Sequence, residues 1–234
     1  MIKRFLLLFV LFQATSCDTL QSVVDGATNV LSNEEIARGL KQALEIGIGE
    51  GSQKLSAVDG YFKSPYKILL PAEARKVTDR LKFIPGFNDV ENVIVQKLNR
   101  AAEDAAKKAK PIFVDAIKGM TFNDVLDILM GADNAATNYL HNSTNTKLYN
   151  EFQPIIKASL DEVNATQYWR DAVTAYNKIP LVADVNPELD DYVTDKALEG
   201  LFSMVKVKEK TIRTDVSART TTLLKRVFAK QDNK

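Results

Sequence analysis

Asn99-Arg100-Ala-Ala-Glu103-Asp104 sets an amide, a guanidinium and two carboxylates within two helical turns. At helical spacing Asn99 and Glu103 share one face and Arg100 and Asp104 another, with two alanines that admit a close neighbour. A second polar set runs from Met120 to Thr137 and holds Asp124, Asp127, Asp133 and Thr137. Asp133 and Thr137 fall at a helix start, where a carboxylate suits the helix dipole. A third set lies between Lys206 and Arg226, with Glu209, Arg213, Arg219 and the run Thr220-Thr221-Thr222. Two chemistries fit such sets. Converging arginines and carboxylates could form a polar pocket that holds an anionic group. The same residue types also cap helix ends and make interhelical ion pairs. Asn99, Arg100, Glu103, Asp124, Asp133, Thr137, Arg213 and Arg219 are therefore candidates for a polar pocket or an ion-pair network, and spacing alone leaves both readings open. Asp124 and Asp127 stand at i,i+3, too common a helical spacing to argue acid–base catalysis.

Other chemistry is excluded more firmly. Gly47-Ile-Gly-Glu-Gly51 lacks the Lys-Ser/Thr of a phosphate-binding loop and follows no strand pattern, so it reads as a helix-packing face. His141 has no second His or Cys to form a metal site or a nucleophile pair. No nucleophile-elbow, H-E-x-x-H or calcium-loop spacing occurs, so no catalytic residue, metal or cofactor is assigned. The 31 basic residues balance 30 acidic ones for a net charge of +1, and no basic–aromatic interleaving suggests nucleic acid. Tyr61, Phe62 and Tyr66, and Tyr168, Trp169 and Tyr176, read as core or loop anchors.

The single cysteine, Cys17, carries a more specific signal. Lys3-Arg4 precede an apolar run, Phe5 to Phe12, and Gln13-Ala14-Thr15-Ser16-Cys17 follows, which is the layout of a secretory signal. Eight apolar residues rise about 12 Å as a helix, far short of the roughly 30 Å hydrocarbon core. Ala14-Thr15-Ser16-Cys17 resembles a bacterial lipobox, with Ala14 where Leu is usual. The expectation is a lipoprotein signal peptide over 1–16, a lipidated Cys17 and tether over 17–31, and secretion across the inner membrane. The chain would then be anchored through its N-terminal lipid, facing the periplasm. Loss of Lys3 and Arg4 would leave 29 basic against 30 acidic residues, so the anchor would have to be covalent.

The elements that must position the polar sets are helices. Ser32-Asn-Glu-Glu35 has the form of a capping box, and Ile36, Leu40, Leu44, Gly47, Gly51, Leu55 and Val58 mark one stripe behind it. Gly60 to Leu70 reads as an aromatic loop, Pro71 as the first residue of a short helix to Lys82, and Pro85-Gly86 as a turn. Asn88 or Asp89 opens a long Ala-rich helix interrupted near Pro111 and continuing through Ile117. Further helices are predicted from Thr121 to Gly131, at 133–142, 146–163 with a kink at Pro154, 166–178, from Pro187 (capped by Asn186) to Arg213, and 216–230. The reading is all-α: one bundle-like domain of about nine helices over 32–230, with a polar tail at 231–234.

Several of these segments carry a family resemblance. They include Leu55-Ser-Ala-Val-Asp-Gly60-Tyr-Phe62, Asn99-Arg-Ala-Ala-Glu103, Ala116-Ile-Lys-Gly-Met-Thr121 with Asp124, and Ile128-Leu-Met-Gly131 continuing to Tyr139. Tyr192 to Phe202, Glu209-Lys-Thr-Ile-Arg213 and Ala218-Arg219 to Leu224, with Val227-Phe228, complete the set. In order and spacing they resemble the bacterial family called domain of unknown function 4197, across roughly residues 32–229. The resemblance implies a secreted or lipid-anchored helical protein and supplies no catalytic residues. Asn134 stands where a second acidic residue is expected after Asp133, which argues against a metal there. The expected function is a cell-envelope binding or scaffold module whose partner is an envelope protein or a cell-wall component. The rivals are a helical carrier of a lipid-like ligand and an enzyme using Glu103, Asp124 and the nearby arginines.

Overall fold

A computed structural model describes residues 31–81, 88–162, 166, 169–170, 174 and 188–232. The expected signal peptide, Cys17, the Pro85-Gly86 turn, most of the 166–178 helix, the Asn186 cap, Tyr168 and Tyr176 lie outside these residues. The described residues contain eight α-helices and no strand. They are α1 (Asn33–Ser56), α2 (Ala72–Leu81), α3 (Val90–Ala106), α4 (Ala109–Gly119), α5 (Phe122–Met130), α6 (Ala135–Glu162), α7 (Leu189–Thr214) and α8 (Thr222–Phe228). A 3₁₀ turn, Val216–Ala218, links the last two.

The helices follow from apolar periodicity. On α6 the buried positions Ala136, Leu140, Thr144, Leu148, Phe152, Ile156 and Leu160 recur every four residues and form one stripe. On α7 the apolar surface is wider, with Leu189, Val193, Ala197, Leu198, Leu201, Phe202, Met204, Val205 and Ile212 all buried. That width matches its position, because α7 packs against α1, α3 and α6. α1 in turn meets α3, α4, α5, α7 and α8, and α6 meets α3, α4 and α5. The ring of Phe113 on α4 stands edge-on to that of Phe202 on α7, centroids 5.7 Å apart. This is an all-α domain.

The stripe of glycines on α1 admits neighbouring side chains. A Cβ at Gly39 would lie 2.5 Å from Val227 Cγ2 on α8, and one at Gly51 would lie 3.1 Å from Met204 Cγ on α7. Ala at Gly39 would therefore push α8 away.

Three boundaries differ from the sequence reading. The predicted helices at 133–142 and 146–163 are one helix, α6, unbroken at Pro154. The polar run between them stays helical because Ser143 Oγ donates to the Tyr139 carbonyl at 2.8 Å and Thr144 Oγ1 to the Leu140 carbonyl at 2.6 Å. Those hydroxyls bond one turn back instead of competing with the helix. The Ala-rich helix breaks at Lys107-Lys108, not at Pro111. Pro111 is the third residue of α4, where its missing N–H would have had no intrahelical partner. The helix predicted over 216–230 is a 3₁₀ turn followed by the shorter α8, capped by Thr221, whose hydroxyl accepts from Leu224 N at 3.2 Å.

Candidate functional site

The first polar set fastens the aromatic loop to α3. Asn99 is fully buried, and its side chain pairs with the backbone of Ile68 as a strand would. Nδ2 donates to the Ile68 carbonyl at 2.8 Å and Oδ1 accepts from the Ile68 N–H at 2.8 Å. One turn on, Glu103 Oε1 accepts from the N–H groups of Tyr61 (3.1 Å) and Phe62 (3.2 Å). Its Oε2 accepts from Arg100 Nη1 at 2.6 Å, while Arg100 Nη2 donates to Asp59 Oδ1 at 2.6 Å. Arg100 therefore bridges Glu103 and Asp59; Asp104, its expected partner, instead pairs with Lys107 at 2.6 Å. Both are i,i+3 pairs, the second reaching the residue just past the end of α3, but only Glu103 faces the loop.

The loop geometry depends on its own sequence. Asp59 has φ +69°, a left-handed conformation that Asp tolerates better than most residues. Its carboxyl is held below the usual carboxylate range by hydrogen bonds from Lys63 and Arg100. At Gly60 a Cβ would run into the Lys54 carbonyl oxygen and sit 2.5 Å from that of Leu55, so the chain end of α1 closes on this residue. Tyr61 is fully buried and donates its hydroxyl to the Ala197 carbonyl on α7 at 2.7 Å. Burial pushes that hydroxyl's pKa far up, so Tyr61 stays a donor.

The third set joins three helix ends. Glu209 accepts from the N–H groups of Ala136 (2.9 Å) and Thr137 (2.8 Å) and from the Thr137 hydroxyl (2.7 Å). A carboxylate thus caps the start of α6, where the dipole favours it. Arg213, one turn along α7, donates Nε and Nη2 to Glu209 Oε1 at 3.0 and 2.8 Å. It also donates to the carbonyls of Ile128 (2.7 Å) and Leu129 (3.1 Å) at the end of α5. One turn of α7 therefore presents an anion to the N-terminus of α6 and a cation to the C-terminus of α5.

Arg219, only 1% exposed, does the same for α7 itself. It donates to the carbonyls of Ile212 (3.1 Å) and Arg213 (2.9 Å), and its other face holds Asp232 through two bonds of 2.7 Å. Arg219 keeps the Asp232 carboxyl below the usual range. The expected polar tail is thus built into the domain at its first two residues, since Gln231 also donates to the Leu129 carbonyl.

The second set separates. Asp124 makes a reciprocal capping box with Thr121: its Oδ2 accepts from Thr121 N at 2.7 Å and its N–H donates to Thr121 Oγ1 at 3.3 Å. The Thr121 hydroxyl and N–H hold its carboxyl below the usual range. Thr137 joins Glu209, but Asp133 is exposed before the first turn of α6 and joins neither network. The candidates therefore form no common cleft; they form the α3–loop clamp, the α5–α6–α7 clip with the Arg219–Asp232 pair, and an isolated cap. Glu209, the hub of the clip, stood in the polar set but not among the candidates; its i,i+4 spacing to Arg213 was the available signal. Asp59 has a local partner at i,i+4, Lys63 at 2.9 Å, but its bond to Arg100, 41 residues away, and that of Asp232 to Arg219, 13 residues away, had no such signal.

Among the described residues, no helix is long and apolar enough to cross a membrane. No curated protein and no solved structure matches the chain. Residues 30–229 match the family described as "Protein of unknown function (DUF4197)", a span that holds the clamp, the clip and the cap but not Gln231 or Asp232. The chain belongs to that family.

Proposed function

We propose that this chain is a bacterial cell-envelope lipoprotein, lipidated at Cys17, whose helical domain is a non-catalytic binding or scaffold module. One observation carries the non-catalytic half. The buried charged residues of the family segments are engaged with backbone groups or one another: Glu103 takes three donors, Glu209 five and Arg219 four acceptors. A catalytic carboxylate or arginine needs a face turned toward substrate; Glu103 is turned toward the Tyr61–Phe62 backbone, and Glu209 and Arg219 toward helix ends. The envelope half rests on the N-terminal layout, with Lys3-Arg4, the apolar run and the small residues before the single cysteine.

Expression in a bacterial host, with fractionation and labelling by an alkyne fatty acid, tests this reading. The wild type should label and stay with membranes through a high-salt wash, and Cys17→Ala should do neither. Cys17→Ala that remains membrane-bound after the wash would overturn the anchor. If Glu103→Gln or Arg213→Lys abolished a deletion-complementing phenotype without lowering the melting temperature, the non-catalytic half would fall instead.

A further inference from the structure

The aromatic loop is held from behind by side-chain bonds from α3 and α7, and its front wall is open. Asn99 fixes both backbone groups of Ile68, Glu103 fixes the N–H groups of Tyr61 and Phe62, and Tyr61 reaches Ala197. Tyr192 on α7 donates to the Leu69 carbonyl at 2.9 Å. Between them Leu69 projects outward at 49% exposure, while Ile68 and Leu70 on either side are 2% exposed. In front of Leu69 lies a groove of about 610 Å³, between residues 65–75 and the α7 face from Tyr192 to Ser203. That volume is within the range of small-molecule sites. Gly200 forms part of the groove wall, where a Cβ would sit 2.9 Å from the Tyr61 ring and 3.2 Å from Tyr66 Cβ.

The lining has two characters. Tyr66, Leu69, Pro71 and Tyr192 give it an apolar and aromatic body. Lys67, Arg75 and Lys196 stand along it against a single acid, Glu199, which bonds Lys196 at 2.5 Å. Two positive charges are thus in excess locally, on a chain whose overall net charge is +1. A concave wall with excess positive charge concentrates anions, and a backbone already fixed by side-chain bonds lowers the ordering cost of binding.

We propose that this groove is the ligand site of the module, and that it takes an anion, a carboxylate or phosphate, carried on a compact apolar or aromatic body. This gives the binding reading above its ligand class and rests on it. Phenyl phosphate is the probe, with benzyl alcohol as the uncharged control and inorganic phosphate as the anion without a body. The full chain is held in phosphatidylcholine nanodiscs, and the Leu69 methyl resonances and calorimetric heat are followed.

Phenyl phosphate should shift the Leu69 methyls saturably. Benzyl alcohol and inorganic phosphate should each bind at least about tenfold more weakly, a loss of about 1.4 kcal/mol. Arg75→Glu with Lys196→Glu, both at exposed positions, should weaken phenyl phosphate at least about tenfold with an unchanged melting temperature, and so should Ser203→Tyr, which fills the groove. If Leu69 moves only when phosphatidylglycerol replaces phosphatidylcholine, and the double reversal abolishes the shift, the same anion site takes a lipid headgroup. No saturable shift in either arm, or a shift indifferent to the reversals, overturns the proposal and leaves the Cys17 fractionation result standing. Release of phenol from the probe would overturn the non-catalytic reading and leave the anion site in place.

Discussion

Glu209→Ala leaves five donor groups without their acceptor: the N–H groups of Ala136 and Thr137, the Thr137 hydroxyl, and Arg213 Nε and Nη2. Both side chains of the pair are only 4% exposed, so water screens neither charge. Removing one partner of a buried ion pair costs about 3–5 kcal/mol, because the other charge stays buried and uncompensated. An unsatisfied buried N–H adds about 1–3 kcal/mol, less here because the start of α6 can shift toward water at exposed Asp133. The expected loss is about 4 kcal/mol, a fall in melting temperature of about 8–16 °C for a chain of this size. Arg213→Ala should cost a similar amount, since it strands the Glu209 charge, while the Ile128 and Leu129 carbonyls of α5 keep the Gly131 N–H and Gln231 as donors. The double variant should lose well under the sum, by about 2–3 kcal/mol, because each single variant carries a stranded charge that the double lacks. Urea denaturation of all four proteins by far-ultraviolet circular dichroism measures the cycle. Additivity within about 0.5 kcal/mol, or a Glu209→Ala loss below about 1 kcal/mol, would refute the clip and free the carboxylate for another role.

Asn99→Ala should lose about 2–4 kcal/mol, since both backbone groups of Ile68, itself 2% exposed, lose their partner; a loss under about 1 kcal/mol in urea melts would show that water replaces the amide. Gly60→Ala should destabilise by about 2–3 kcal/mol through the Lys54 and Leu55 carbonyls. Gly119→Ala, with nothing within 4 Å of its Cβ, should be neutral or slightly stabilising; equal melting temperatures for the two variants would refute the close-approach argument. Asp59, Asp124, Asp215 and Asp232 all have carboxyl groups held below the usual range, by Lys63 and Arg100, Thr121, Ser217 and Arg219 respectively. The native state therefore binds fewer protons than the unfolded chain near pH 4, so stability should be flat above about pH 5 and fall as pH drops through the folded pKa values. Urea midpoints unchanged down to about pH 2.5 would contradict the assignment.

Local chemistry was readable in the sequence wherever both partners sit within a helical turn. Thr121 and Asp124 announce a capping box by residue type and spacing, and the apolar stripes of α1 and α6 announce helices. The misreadings occur where one residue type supports two outcomes. Ser143 and Thr144 fall between the helices predicted at 133–142 and 146–163, yet each hydroxyl turns back to a carbonyl one turn earlier and the helix continues. Arg100 had acidic neighbours at i+3 and i+4, and the selection of Glu103 depends on a loop 41 residues upstream. No local pattern carries that information. The same holds for Asp232, which looked like tail and holds an otherwise buried guanidinium.

α7 divides these roles along its length. Its last turns hold Glu209 and Arg213 against the ends of α5 and α6, and Arg219 returns from the following 3₁₀ turn to close α7 through Ile212 and Arg213. A continuous polar chain thus runs from Asp232 through Arg219 and Arg213 to Glu209 and Thr137, and changes anywhere along it act on stability together. Earlier on the same helix, Tyr192, Lys196, Glu199 and Ser203 face the open groove; of these, Lys196, Glu199 and Ser203 are exposed. Substitution at those three exposed positions removes no buried partner, so it can alter ligand binding while leaving the fold intact. The residues whose sequence pattern looks most chemical are therefore the ones that hold the domain together. The residues free to act on another molecule lie two to four turns earlier on the same helix.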